Sequence, residues 1–355
     1  MPIDGILGRS KALLFDDQLL PRLPVVLGIV LLSLVWLLGI VGASIADGSL
    51  ELPPPGRGLL NHYGFQACVF AAPLVLLTAY YAVSYFLRTL RTIDDLIVPD
   101  ADMAVVRSII KPHVDSVFLR KKWRNMLWLF MFVGVAASIV IFRKLDDPSS
   151  YWGNDVFNAT SYRYGYILAN AYLFWLWSFV YPVGFFYALH LTLSMGSIVA
   201  RLKERKLLRL DFLHIDKCGG MARFGTLNFI IMLIYVWPFG AVYAFHFTHQ
   251  YTYLSLIAGA FGVSVLLIVQ SVYGIYWVSQ TISAERKEIV GVLNDQIAKA
   301  MGGARKSFAE AGATLQYRDR VISVSSFPYS GSIAAAVNVI RVAPAALTVA
   351  RLIAP

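Results

Sequence analysis

The chain has 355 residues, of which 58% are hydrophobic, 14% aromatic and only 15% charged, with a mean hydropathy of +0.63. A soluble domain carries about 25% charged residues, so this composition excludes an ordinary water-soluble fold. The formal charge of +10 is spread over several loops. It is therefore read as the basic flanks of membrane helices, with affinity for the bilayer's anionic head groups, and nucleic acid is excluded as a partner because no single basic face gathers the charge.

A helix needs about 20 apolar residues to cross a bilayer. In chain order, six stretches qualify: 24–46, 65–87, 126–142, 166–200, 224–247 and 253–280. The first two carry no charge. The third is short and lies between Arg124 and Arg143, whose long side chains can snorkel to the surface and extend it. The fourth lies in an uncharged run over 164–200, too long for one upright crossing and too short for two with a turn. One helix, tilted or bent at Pro182, accounts for it. No Asp, Glu, Lys or Arg occurs between Arg223 and Glu285, a length that requires two crossings with a turn over 246–253. Ser44-Ile45-Ala46 has the small residues of a signal-peptidase site, but the preceding apolar core is too long for a signal peptide.

The fold class predicted is all-α: a polytopic transmembrane helix bundle of six spans over 24–280. A segment over 1–23 precedes it, and a helical extension with a membrane-interfacial segment over 281–355 follows. Basic residues fix the orientation. Of the 31 lysines and arginines, 27 fall in the N-terminal segment, the second and fourth loops and the C-terminal segment, against four in the first and third loops. Both termini are thus expected in the cytoplasm, in a membrane of the bacterial inner (plasma) type.

In the second loop, Asp100 or Asp102 is expected to cap a short helix through Ile110, with Pro112 starting the chain afresh. The acidic group Asp94, Asp95, Asp100 and Asp102 lacks the spacing of a calcium loop and reads as caps and arginine partners. The fourth loop continues as helix to Arg209, then reaches a compact turn with His214, Asp216, Gly219 and Gly220 as its key residues. Cys68 and Cys218 are not expected to pair, and no cofactor, metal or catalytic set is predicted. After the sixth span the helix continues to Gly302-Gly303. Ile282, Ile289, Leu293 and Ile297 form one apolar face of it, available for packing on the protein's own loops or for a homo-oligomer. The tail over 333–353 contains Asn338, Arg341, Pro344, Thr348 and Arg351. A charge and a proline near its middle point to an interfacial or partly re-entrant helix rather than a span.

None of the six stretches contains an ionisable carboxylate or a basic residue, which disfavours transport through a buried acid. Counting helical rise places His190, Asn228 and Gln270 at similar depth in spans four, five and six, where they form either an interhelical hydrogen-bond cluster or the polar lining of a passage. Pro182 and Pro238 read as fixed kinks. Tyr151, Trp152, Tyr162, Tyr164 and Tyr166 read as an interfacial belt, and Ala258-x-x-x-Gly262 with Ala260-x-x-x-Ser264 as a close-packing face. No nucleotide-binding, zinc or hydrolase motif occurs. The leading functional expectation is a channel or permease for ions or small solutes. The alternatives are a membrane-embedded sensor or scaffold docking a cytoplasmic partner, and a membrane enzyme built on His113 and Asp115 or His214 and Asp216.

Overall fold

With no water to bond to, an apolar chain in lipid must satisfy its backbone within itself, which selects helices. A computed structural model describes residues 23–48, 50–51, 59–61, 63–117, 121–143, 164–248, 253–302, 308–329 and 331–353. Ten α-helices occur among them: α1 Leu23–Ala46, α2 Tyr63–Arg91, α3 Met103–Val117, α4 Lys121–Arg143, α5 Tyr164–Trp175, α6 Tyr181–Glu204, α7 Ala222–Thr248, α8 Tyr253–Gly302, α9 Phe308–Ser323 and α10 Gly331–Ile353. No strand forms among the described residues. Four helical stretches are long and apolar enough to cross a membrane: Val26–Ala46, Gly64–Arg91, Ile167–Glu204 and Ala222–Ala241. They mark an integral membrane protein.

The centre of the bundle is the long pairing of α2 with α7, and α6 lies against both. Core side chains such as Val75, Ala82, Leu191, Met195, Leu227 and Ile231 are buried there. α1 is the most apolar span and yet the least covered; it touches α5 and α2 and leaves Leu31, Val35 and Leu38 exposed. In lipid an exposed leucine costs nothing, so apolarity marks the periphery as readily as the core.

The bend expected at Pro182 is a π turn, Leu176–Val180, that joins α5 to α6 in one continuous helical path. Proline has no N–H and crowds the preceding turn, and a π turn is one way to absorb this. α4 crosses there: a Cβ on Gly134 would stand 3.0 Å from the carbonyl oxygens of Trp177 and Ser178, and the Ser178 hydroxyl donates to Ser138 Oγ at 2.9 Å. α7 runs through Pro238 without a break, and α3 likewise runs through Pro112 to Val117 instead of stopping at Ile110. Asp102 caps α3, its carboxylate accepting the Ala104 N–H at 2.8 Å.

The basic segments meet at one end of the bundle, called the basic end below. α6 stops at Glu204, short of the expected Arg209, because the next residues leave the helix to pair with the second loop. There Val98 N–H donates to the Leu207 carbonyl (3.0 Å) and Arg209 N–H to the Leu96 carbonyl (2.7 Å). Leu210 N–H donates to Glu285 Oε2 at 3.2 Å, which ties the same loop to α8. At the opposite end, Asp47 after α1 accepts the Gly165 N–H at 2.8 Å.

α8 is one helix of 50 residues whose far half projects past the basic end, and α9 folds back along it. On the apolar face expected to pack on the protein's own loops or on a second copy, Ile282 and Leu293 are buried and Ile289 and Ile297 half-buried. α10 packs along α8 and also touches α7. It starts at the basic end, where a Cβ on Gly225 would overlap the Pro328 carbonyl, and ten residues later Arg341 reaches Ser271. A helix that begins beside the start of α7 and meets Ser271 only after ten residues must climb antiparallel to α8. At 23 residues it is about 34 Å long. The tail thus lies along the bundle, where an interfacial or partly re-entrant helix was expected. The aromatic belt over 151–163, the turn over 249–252 and the side chains over 258–264 fall outside the described residues.

Candidate functional site

α6, α7 and α8 meet through polar side chains. Asn228 on α7 is fully buried, and its Nδ2 donates to the Ser271 carbonyl (3.3 Å) and to the Tyr329 hydroxyl (2.8 Å). One residue along α8, the Gln270 amide donates to Thr192 Oγ1 on α6. The Thr192 hydroxyl in turn donates to the Ala188 carbonyl at 2.8 Å. Gly274 makes this junction possible. A Cβ there would come within 2.0 Å of Asn228 Oδ1 and 3.5 Å of Thr192 Cγ2, so a glycine is needed for three helices to close on one point.

The depth of the junction follows from register. α6 and α8 run parallel: Lys203 Nζ donates to the Gln280 carbonyl at 3.4 Å, and ten or eleven residues earlier Thr192 meets Gln270. Asn228 lies five residues beyond Arg223, about 8 Å of helical rise, and Thr192 nine residues before Arg201, about 14 Å. A hydrocarbon core is about 30 Å thick. The junction thus sits inside it, in the half nearer the basic end.

α10 adds a charge to this neutral set. Arg341 Nε donates to Ser271 Oγ at 2.8 Å and Nη1 to Asn338 Oδ1 at 3.5 Å. The guanidinium lies close enough to the Tyr329 hydroxyl to act on its ionisation. An arginine at the centre of a membrane helix costs about 2.5–3.5 kcal/mol. Arg341 is half-buried, and both its hydrogen-bond partners are neutral. Burial pushes the Tyr329 phenol above its usual range, against the opposing pull of Asn228 and Arg341, so it stays protonated at neutral pH.

His190 lies elsewhere. It is two residues from Thr192, about 200° around the helix, and faces α3 and the start of α4. Its Nε2 is 2.9 Å from Ser116 Oγ, and its ring lies 4.1 Å from the Trp123 ring and stacks on Phe186. The single hydrogen of Ser116 goes to the His113 carbonyl at 2.5 Å. In the tautomer with the proton on Nε2, His190 donates to Ser116 and Nδ1 is buried with no partner. A serine nucleophile needs the reverse arrangement, with the histidine accepting its proton and a third group orienting the ring. Burial, and then the Arg201 charge, lowers the basicity of His113, so it is neutral near pH 7.

Residues 214–220 form tight turns that position the start of α7. Asp216 Oδ1 accepts the N–H groups of Cys218 (2.8 Å) and Gly220 (3.1 Å), and Oδ2 accepts that of Ala222 (3.0 Å). Burial tends to raise this carboxyl's pKa, but the three backbone donors and His214 outweigh it and hold the value below the ordinary range. Gly219 and Gly220 take φ of +68° and +87°, and a Cβ on Gly220 would stand 2.7 Å from Leu96 Cδ2. Cys218 turns away from Asp216, its Sγ toward the carbonyls of Phe327 (3.6 Å) and Tyr329 (3.9 Å). Burial, with the Asp216 charge, pushes its thiol up to about 11, so it is not a thiolate ligand or nucleophile at neutral pH. No cluster of three or more His, Cys, Asp or Glu suited to a metal occurs among the described residues. This turn also carries the final approach to α10: Ser325 N–H donates to the Lys217 carbonyl at 2.9 Å, and Arg286 Nη1 to the Val324 carbonyl at 2.9 Å.

Of the three residues predicted to share a depth, the structure brings Asn228 and Gln270 into one junction and turns His190 to another. Sequence reasoning missed Thr192, Ser271, Gly274, Tyr329 and Arg341. The usable signal lay in Asn338 and Arg341, spaced three apart on an otherwise apolar helix. No family model matches the chain, and neither a curated protein nor a solved structure matches it.

Proposed function

We propose that the protein is a permease or channel for small solutes, in which the junction of Thr192, Asn228, Gln270 and Ser271 is the polar point of passage. The observation that supports this is the convergence of four helices, α6, α7, α8 and α10, on hydrogen-bonding side chains at one depth within otherwise apolar spans. α1, α2, α4, the α5–α6 path, α7 and α8 make six crossings, with the basic end in the cytoplasm of a plasma membrane. α10 makes a seventh, because it climbs beside α8 over the same length, and the C-terminus then emerges opposite the N-terminus.

Reconstitution tests the reading. Proteoliposomes should release a trapped small solute or dissipate an imposed ion gradient faster than empty liposomes, and Asn228→Leu should slow this. Liposomes as tight as empty ones across neutral, cationic and anionic solutes would overturn it. The second reading, a scaffold docking a partner, is favoured by the α8–α9 hairpin past the basic end, which exposes Val292 and Ile322. Tight liposomes with a stoichiometric co-purifying protein would establish it.

A further inference from the structure

We propose that Arg341 and Tyr329 form an anion site within the bundle, taking a carboxylate or phosphate oxyanion. This rests on the same junction and names the substrate class of the permease reading.

Hydrogen-bond arithmetic supports it. A guanidinium has five N–H hydrogens, and Ser271 and Asn338 account for two. The Tyr329 oxygen accepts from Asn228, and its hydroxyl is also a donor. The open valences at this point are therefore mostly donors. Charge arithmetic agrees. α6 before Glu204, α7, α8 before Glu285 and all of α10 contain no Asp or Glu. No carboxylate among the described residues is within ion-pairing range of Arg341. A cation inside hydrocarbon with only neutral partners attracts a mobile counter-charge, and a planar fork of N–H groups fits a carboxylate or phosphate two-pronged. Lys203, Lys217, Arg223 and Arg286 lie at the basic end, alongside Glu204, Asp216 and Glu285. A cation would meet the Arg341 charge with Asn228 Oδ1 as the one buried acceptor without a partner at the junction.

The oxyanion can come from solution or from a lipid head group, and one experiment separates them. The full chain is placed in nanodiscs of phosphatidylcholine, then titrated with inorganic phosphate or acetate while melting and heat of binding are followed. A parallel set contains phosphatidylglycerol. Stabilisation by phosphate or acetate that weakens at least tenfold in Arg341→Gln and partly returns in Arg341→Lys assigns a dissolved anion. Stabilisation only by phosphatidylglycerol, with the same dependence on Arg341, assigns a head group. Should Arg341→Gln fail to fold, Tyr329→Phe replaces it and should weaken binding several-fold. No anion effect on the unaltered protein, or one that these substitutions leave unchanged, overturns the proposal. Flux judges the permease reading separately. Passage of neutral solutes or cations with no anion effect keeps the permease and removes the anion site; anion binding with tight liposomes does the opposite.

Discussion

His190 and Thr192 stand two residues apart on one helix and belong to different chemistries. The His190 face is closed and neutral: two aromatic rings and one serine that bonds the His113 carbonyl. The Thr192 face opens onto three more helices and ends on an unbalanced guanidinium. Equal depth therefore does not make two polar residues neighbours. Angle does, at about 100° per residue.

If the Thr192 face is the joint on which three helices close, steric damage there should exceed any loss of a single hydrogen bond. Interhelical bonds in membranes average only about 0.6 kcal/mol, whereas overpacking a tight contact costs about 1–3 kcal/mol and at times more. Gly274→Val, which drives side-chain atoms into Asn228 and Thr192, should thus show the largest loss, read as the drop in melting temperature of the purified protein. An unchanged melt would mean that the joint is loose.

Asn228→Leu comes next. It removes two donated bonds and strips the buried Tyr329 hydroxyl of a donor, for about 1–3 kcal/mol. Equal losses from Asn228→Leu in the full chain and in a Tyr329→Phe background would show that the two side chains do not interact.

Asp216 lies outside both faces and offers a calibrated control. Its folded pKa is depressed, so its contribution is complete above the unfolded value of about 4 and fades as pH falls through the folded value. Asp216→Asn should lower stability near pH 7 by about 1.5–3 kcal/mol, and the gap to the unaltered protein should narrow at pH values below about 4. A constant gap across a melting series from pH 7 to pH 3 would contradict this account of the turn.

The smallest effect belongs to the His190 face. Ser116→Ala removes the contact with His190 and the bond to the His113 carbonyl, at about 0.6 kcal/mol each, and it should leave solute flux and anion response untouched. A flux defect from Ser116→Ala without a stability defect would erase the distinction between the two faces.

The legible part of this fold was what periodicity and charge encode. Uncharged runs became helices, and the basic loops gathered at one end because Leu96, Val98, Leu207 and Arg209 exchange backbone bonds there. What sequence could not encode was mutual rotation. His190 has the right depth and the wrong face, whereas Thr192 looks like any threonine that bonds its own helix. α10 was read as interfacial or partly re-entrant from a proline and an arginine in a short apolar run. That Ser271 and Asn338 receive Arg341 depends on tertiary placement, which spacing does not encode. The face of Ile282 and Leu293 was legible as apolar, but nothing in its spacing says that α9 folds back along the same helix.

If α10 climbs beside α8 as a seventh crossing, the two termini lie on opposite faces of the membrane. Protease-accessible tags at both termini of the full chain, assayed in sealed vesicles of known orientation, should then be cut from opposite faces. Cleavage of both from the same face would rule the seventh crossing out.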